Sequence, residues 1–320
     1  MGRIGKAILA AAAMPLFVSG AAQASPETTE SVPLPAPLDE VLIDRDRYER
    51  MTVPVSIGGR GPFRFLVDTG AQASVVTPRV RDEAELVFEG PANLVAMGSS
   101  AIVETFSLDG LEFAGREQSG LTAALLQARH IGADGILGLD ALQHMRILLD
   151  FREDRIEVFD IDEGSNLRGY EIVVRARRKL GQMVIANARI DGIRTSVVID
   201  TGAQGSFGND ALRRKLRARG SLVAPSTDVL GVTTLNDVAI AREMKIGTLT
   251  ITDLPIAYGR SPAFESLELD GQPALILGMR DLRMFDRIAI NFAKRRVLFD
   301  LPAGSRTRWH ATRIDTPPAF

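Results

Sequence analysis

The pentapeptide Asp-Thr-Gly-Ala-Gln occurs twice, at 68–72 and at 200–204, and each copy ends an apolar run, Phe65-Leu66-Val67 in one case and Val197-Val198-Ile199 in the other. The duplication extends well beyond these five residues. Glu40-Val41-Leu42-Ile43 is answered by Glu171-Ile172-Val173-Val174, and Ile136-Leu137-Gly138-Leu139 by Ile276-Leu277-Gly278-Met279. Leu149-Asp150-Phe151 pairs with Ile290-Asn291-Phe292, and Ile156-Glu157-Val158-Phe159-Asp160 with Val297-Leu298-Phe299-Asp300. Blocks that keep their order and spacing along a chain mark an internal repeat, which constrains architecture more than any single motif. A chain of 320 residues repeated once is expected to form two lobes, at 40–163 and 164–302, with a polar, glycine-containing boundary at 162–168.

Within each repeat the local signals are those of short strands. In the first half they fall at 51–57, 63–67, 103–108, 146–151 and 155–159, where apolar and β-branched residues cluster. Asp109-Gly110, Asp191-Gly192 and Asp270-Gly271 mark turns, and Gly58-Gly59-Arg60-Gly61 reads as a hairpin turn. Helices are expected at 121–129, 140–145 and the basic stretch 211–219. The chain is therefore mainly β.

Composition removes several kinds of chemistry. With no cysteine, disulfides, thiolate nucleophiles and cysteine metal sites are excluded. The three histidines, His130, His144 and His310, are scattered without metal-ligand spacing, and no Gly-x-Ser-x-Gly elbow accompanies them. No metal and no other cofactor is expected. A formal net charge of −2 gives no footprint for nucleic acid. Arg213-Arg214-Lys215-Leu216-Arg217 reads as a solvated helix face.

The first residues read as an export signal over 1–24. Arg3 and Lys6 supply charge, 7–18 is apolar, and Ala22-Gln23-Ala24 is a small-x-small cleavage site, so a mature chain is expected to begin near Ser25. The destination would be the periplasm or the extracellular space. A leader left uncleaved would instead tether the protein beside membrane-protein substrates. Segment 25–39, rich in proline and polar residues, reads as a linker or short pro-segment, and 303–320 as a C-terminal tail.

The chemistry resides in the pentapeptides. Each strand delivers an aspartate, Asp68 or Asp200, to a loop where Gly70 or Gly202 lets the backbone turn closely and Thr69 or Thr201 can bond across to its counterpart. Around a pseudo-twofold axis the two carboxyls meet. Two carboxylates so close cannot both ionise easily, so they share one proton. The ionised member can then take a proton from water while the protonated member donates to a peptide carbonyl.

This pattern resembles the aspartic peptidases of the pepsin and retropepsin type. In that family Asp-Thr-Gly, a glycine-bearing hairpin flap and an apolar-apolar-Gly segment crossing beneath the aspartate loop make up one lobe. The resemblance covers about 40–300 and pairs Asp68-Thr69-Gly70 with Ile136-Leu137-Gly138, and Asp200-Thr201-Gly202 with Ile276-Leu277-Gly278. Asp-Thr-Gly-Ala followed by Ser74-Val75-Val76 is similar to the retropepsin signature, whereas the duplication is pepsin-like. The resemblance implies a bilobal acid-protease fold of two retropepsin-like β-barrel lobes. It implies a monomer with its dyad in one chain, acting as an aspartic endopeptidase on peptide or protein bound as an extended strand.

Two departures stand out. After Gln204 the second copy reads Gly205-Ser206-Phe207-Gly208 where the retropepsin pattern has an aliphatic pair after the serine. Neither flap candidate, 96–100 with Gly98, Ser99 and Ser100 or 230–234 with Gly231, Val232 and Thr233, carries the tyrosine of pepsins. Ala71 and Ala203 replace the hydroxyl residue that in pepsins lowers a carboxyl pKa, so an optimum at weakly acidic or neutral pH is expected. The competing reading is a catalytically silent peptide-binding or assembly module that keeps the cleft. Retention of both aspartates weighs against it, since a second buried carboxyl is destabilising unless used.

Overall fold

A computed structural model describes residues 51–160, 170, 172–179, 181–218 and 222–302, with four further short strands, Ala7–Leu9, Asp39–Leu42, Asp44–Arg45 and Arg308–His310. For those four strands, and for 160 and 177–179, the backbone alone is described. The expected export signal, proline-rich segment, boundary stretch and C-terminal tail lie outside the described residues, apart from the strand residues just named.

The strand Met51–Ile57 turns through Gly58 and Gly59, both with positive φ, into Arg60–Val67. Arg60–Val67 begins exposed and ends buried on both faces at Phe65, Leu66 and Val67. That change tracks its course from the rim of the sheet to the centre of the molecule, where an all-apolar run is tolerated. It is covered by Gly135–Leu137, which runs parallel to it and antiparallel to Val75–Val76. The second half repeats the arrangement: Ile193–Ile199 lies parallel to Ala274–Leu277, which is antiparallel to Phe207–Gly208.

Each half thus builds a large curled sheet of its own, one of 11 strands and one of 9. In the second, Gln182–Ile190 pairs with Thr233–Ile246 as well as with its hairpin partner. A six-stranded sheet joins the halves. Its order is Ile172–Arg175, Arg296–Asp300, Arg287–Asn291, Met145–Asp150, Arg155–Asp160, Asp39–Leu42. The two central strands are antiparallel, with Leu148 opposite Ala289 and Asp150 opposite Arg287, so equivalent strands of the two repeats lie symmetrically about their junction. This is the bilobal β fold that the repeat implies. One apolar cluster, including Phe63, Phe65, Ile147, Ile185, Ile290 and Phe299, runs through both lobes and this sheet. Each such side chain contributes about 1.5–3 kcal/mol through its burial.

The helical expectation for 121–129 is overturned in its first part. Leu121–Leu125 is a strand, antiparallel to Ser100–Leu108 and parallel to Val75–Val76, and the helix is confined to Ala128–Ile131. Leu and Ala favour helix by only about 0.5 kcal/mol per residue over β-formers. Ladder bonds and full burial of Ala123 and Ala124 outweigh that preference. The other two expected helices are present as Leu139–Leu142 and Asp210–Leu216, the latter capped by Asn209, whose side chain accepts from Leu212 N.

Candidate active site

The strands Arg60–Val67 and Ile193–Ile199 end at Asp68 and Asp200, and the neighbouring strand holds each loop by its backbone. Asp68 N donates to Leu137 O at 3.0 Å and Asp200 N to Leu277 O at 3.1 Å. The chain then crosses beneath the loop, where Leu139 N donates to Ala71 O at 2.8 Å and Met279 N to Ala203 O at 2.7 Å. A Cβ on Gly138 would overlap the Ala73 carbonyl, and one on Gly278 the Gly205 carbonyl. Both glycines of the Ile-Leu-Gly segments are therefore required by backbone proximity.

Reciprocal threonine bonds lock the two loops together. Thr69 Oγ1 donates to Ile199 O at 2.9 Å and accepts from Thr201 N at 3.2 Å, while Thr201 Oγ1 donates to Val67 O at 2.7 Å and accepts from Thr69 N at 3.0 Å. All four bonds are buried, where they are stronger than in water.

This lock brings Asp68 and Asp200 side by side, 1% and 2% exposed, with a hydrogen bond between their carboxyls. Oδ1 of Asp68 accepts from Gly70 N at 2.7 Å and Ala71 N at 3.0 Å; Oδ1 of Asp200 accepts from Gly202 N and Ala203 N, both at 2.9 Å. Any side chain on Gly70 would overlap the Asp200 carboxyl, and any on Gly202 the Asp68 carboxyl. Burial pushes the Asp200 carboxyl well above the usual carboxylate range, and the charge on Asp68 pushes it further; the Ala203 and Gly202 amides oppose this. Burial and the neighbouring charge both favour a protonated carboxyl here, so the two groups titrate as a pair suited to sharing one proton. Such a pair can accept one proton and donate another in the same encounter.

A second pair of groups, which the sequence reading passed over, supports each loop from below. Ser74 Oγ donates to Asp140 Oδ1 at 2.8 Å and accepts from Gly138 N at 3.1 Å, and Asp140 Oδ2 accepts from Ser74 N at 2.9 Å. In the other lobe Ser206 Oγ donates to Asp281 Oδ2 at 2.5 Å and accepts from Gly278 N at 3.3 Å. The signal was in the sequence: a serine stands at the same offset from each aspartate, and an acidic residue follows closely on each Ile-Leu-Gly. Gln182 was also missed. Its buried amide donates to Gly70 O from the opposite lobe, 112 positions away.

The candidate flap residues sit at the tips of two hairpins. Gly98 and Ser99 lie in the turn between Phe88–Val95 and Ser100–Leu108, and Gly231 and Val232 in the turn between Leu222–Thr227 and Thr233–Ile246. Ser100 and Thr233 each begin a strand. The tips meet, with Ser99 Oγ donating to Asp228 Oδ2 at 2.5 Å. Each tip also reaches the opposite lobe. Val229 is fully buried in the apolar cluster of the first dyad loop, with Ala71 and Ile136, and Met97 lies in that of the second, with Ala203 and Ile276. Among the described residues no cluster of three or more His, Asp or Glu side chains is arranged to hold a metal ion.

A family model described as aspartyl protease matches the chain twice, over 53–141 and 186–280. The two matched stretches carry Asp68 and Asp200 and both Ile-Leu-Gly segments. No curated protein gives a significant match.

Proposed function

The chain belongs to the aspartyl protease family, and from that premise we propose that it is an aspartic endopeptidase whose two lobes each supply one carboxyl of a single dyad. The observation that carries this reading is the buried, hydrogen-bonded pair of Asp68 and Asp200, locked by Thr69 and Thr201. Water between the carboxyls gives a proton to ionised Asp68, and its oxygen attacks the carbonyl carbon of the scissile peptide. Asp200 protonates the carbonyl oxygen, which leaves a neutral gem-diol. In collapse, Asp68 passes its proton to the amide nitrogen, the C–N bond breaks, and a gem-diol hydroxyl returns its proton to Asp200. Acid, amine and the original dyad are restored.

The substrate fits this reading as an extended peptide lying between the dyad and the two hairpins, its backbone bonding as a strand would. The leader suits an exported, periplasmic or extracellular enzyme, and the dyad within one chain suits a monomer.

Activity requires one proton on the pair. It falls at acid pH as Asp68 takes up a second proton and at alkaline pH as Asp200 loses its own. Elevation of Asp200, with alanine rather than a hydroxyl residue at 71 and 203, carries the alkaline limb towards neutrality. The test is cleavage of a diverse peptide library by the mature chain from about pH 3 to 8, with and without chelator. We expect a bell-shaped profile with its maximum at weakly acidic or neutral pH, indifferent to chelation. Activity confined below about pH 3 would contradict the proton assignment. No cleavage at any pH by a folded chain would favour a silent peptide-binding module.

A further inference from the structure

Gln182 opens the strand Gln182–Ile190 of the second lobe, yet its side chain serves the first. It is 2% exposed, and its Nε2 donates a hydrogen bond to the Gly70 carbonyl oxygen. A carbonyl can only accept, so the amide group must face it, which fixes the side on which Oε1 lies. That Oε1 is buried and has no hydrogen-bond partner. An unsatisfied buried acceptor is destabilising, and filling space does not account for it.

The bond falls on one particular peptide unit. The carbonyl of Gly70 and the N–H of Ala71 belong to the same amide plane, and that N–H donates to Asp68 Oδ1 at 3.0 Å. A donor on the oxygen of an amide draws electron density towards it and makes the N–H a stronger donor; it also holds the plane in one orientation. Hydrogen bonds to a carboxylate favour its ionised form. The chain of polarisation therefore runs from Gln182 through peptide 70–71 to the Asp68 carboxylate.

We propose that Gln182 is a positioning residue for the dyad: by polarising peptide 70–71 it favours the carboxylate form of Asp68, which makes Asp68 the base and Asp200 the acid. This rests on the reading that the two carboxyls share one proton for peptide hydrolysis. The other charged groups around the loops are already engaged: Asp140 with Ser74 beneath the first, Asp281 with Ser206 and Arg280 beneath the second.

The test replaces Gln182→Met, which keeps the length and bulk of the side chain but removes both donor and acceptor. Aspartate carboxyl carbons are titrated by NMR in the wild type and the variant, with Asp68→Asn identifying the signal. We expect the lower of the two steps of the dyad to rise by about 0.5 pH unit, and the acid limb of peptide cleavage to move with it. Titration curves that superimpose would overturn the proposal, as would a uniform loss of activity with the acid limb unmoved. Should the methionine variant fail to fold, Gln182→Asn, one methylene short of Gly70, carries the same expectation. The titration needs no turnover, so absence of cleavage by the wild type would count against the peptidase reading and leave the role of Gln182 to the NMR result.

Discussion

Asp200 illustrates how one residue can be favourable to chemistry and unfavourable to folding. Its carboxyl titrates above the ordinary range because it is buried against Asp68, so folding prefers its protonated form. Stability is greatest below the unfolded pKa of about 3.9, declines as pH rises towards the elevated folded value, and stays reduced above it. Each unit of elevation corresponds to about 1.4 kcal/mol. Asp200→Asn keeps an Oδ1 acceptor for Gly202 N and Ala203 N and places a donor against Asp68 where a second carboxyl stood. The variant is therefore expected to melt about 3 °C or more above the wild type at neutral pH, with the gap closing at about pH 3. A lower Tm at neutral pH would show that burial beside Asp68 is not a strain on the fold. The aspartates, threonines and glycines of the site were legible because each occurs twice at matching offsets. Gln182 was not, because a contact between residues 112 positions apart leaves no local pattern.

At the scale of elements, the two hairpins are held by their tips. The carboxylate of Asp228 is 2% exposed; Oδ1 accepts from Leu230 N and Val232 N, which shapes its own turn, and Oδ2 accepts from Ser99. A side-chain hydrogen bond of this kind is worth about 0.5–1.5 kcal/mol or more, which helps hold the two tips together. Ser99→Ala is expected to speed hydrogen exchange of amides in 96–99 and 228–232 by about tenfold or more, with the dyad loops unchanged. Unaltered exchange at both tips would mean that burial of Met97 and Val229 alone keeps them closed. The turn residues around Gly98 and Gly231 could be read from sequence, but docking of each tip on the opposite lobe could not, since it depends on how the lobes face each other. The strand Leu121–Leu125 was misread for a related reason: Leu-Thr-Ala-Ala-Leu suits a helix in isolation and becomes a strand only beside Phe106 and Val75.

Across the whole molecule, the repeat accounts for the architecture. Duplicated strands meet at the antiparallel pair Met145–Asp150 and Arg287–Asn291, and that junction positions the lobes so that one aspartate from each arrives at the same point. Arg287 stands opposite Asp150 across that junction and forms an ion pair with Asp300 in its own half. Because one chain supplies both carboxyls, specific activity is expected to stay constant on dilution over about two decades of concentration. A fall on dilution would indicate that the working site forms between chains. The most direct measurement compares peptide cleavage by Asp68→Asn, Asp200→Asn and the double variant. One shared dyad predicts that each single substitution costs about 10³-fold or more, and that the double variant is hardly worse than either, because half a dyad does not work. Substantial activity in either single variant would contradict the account.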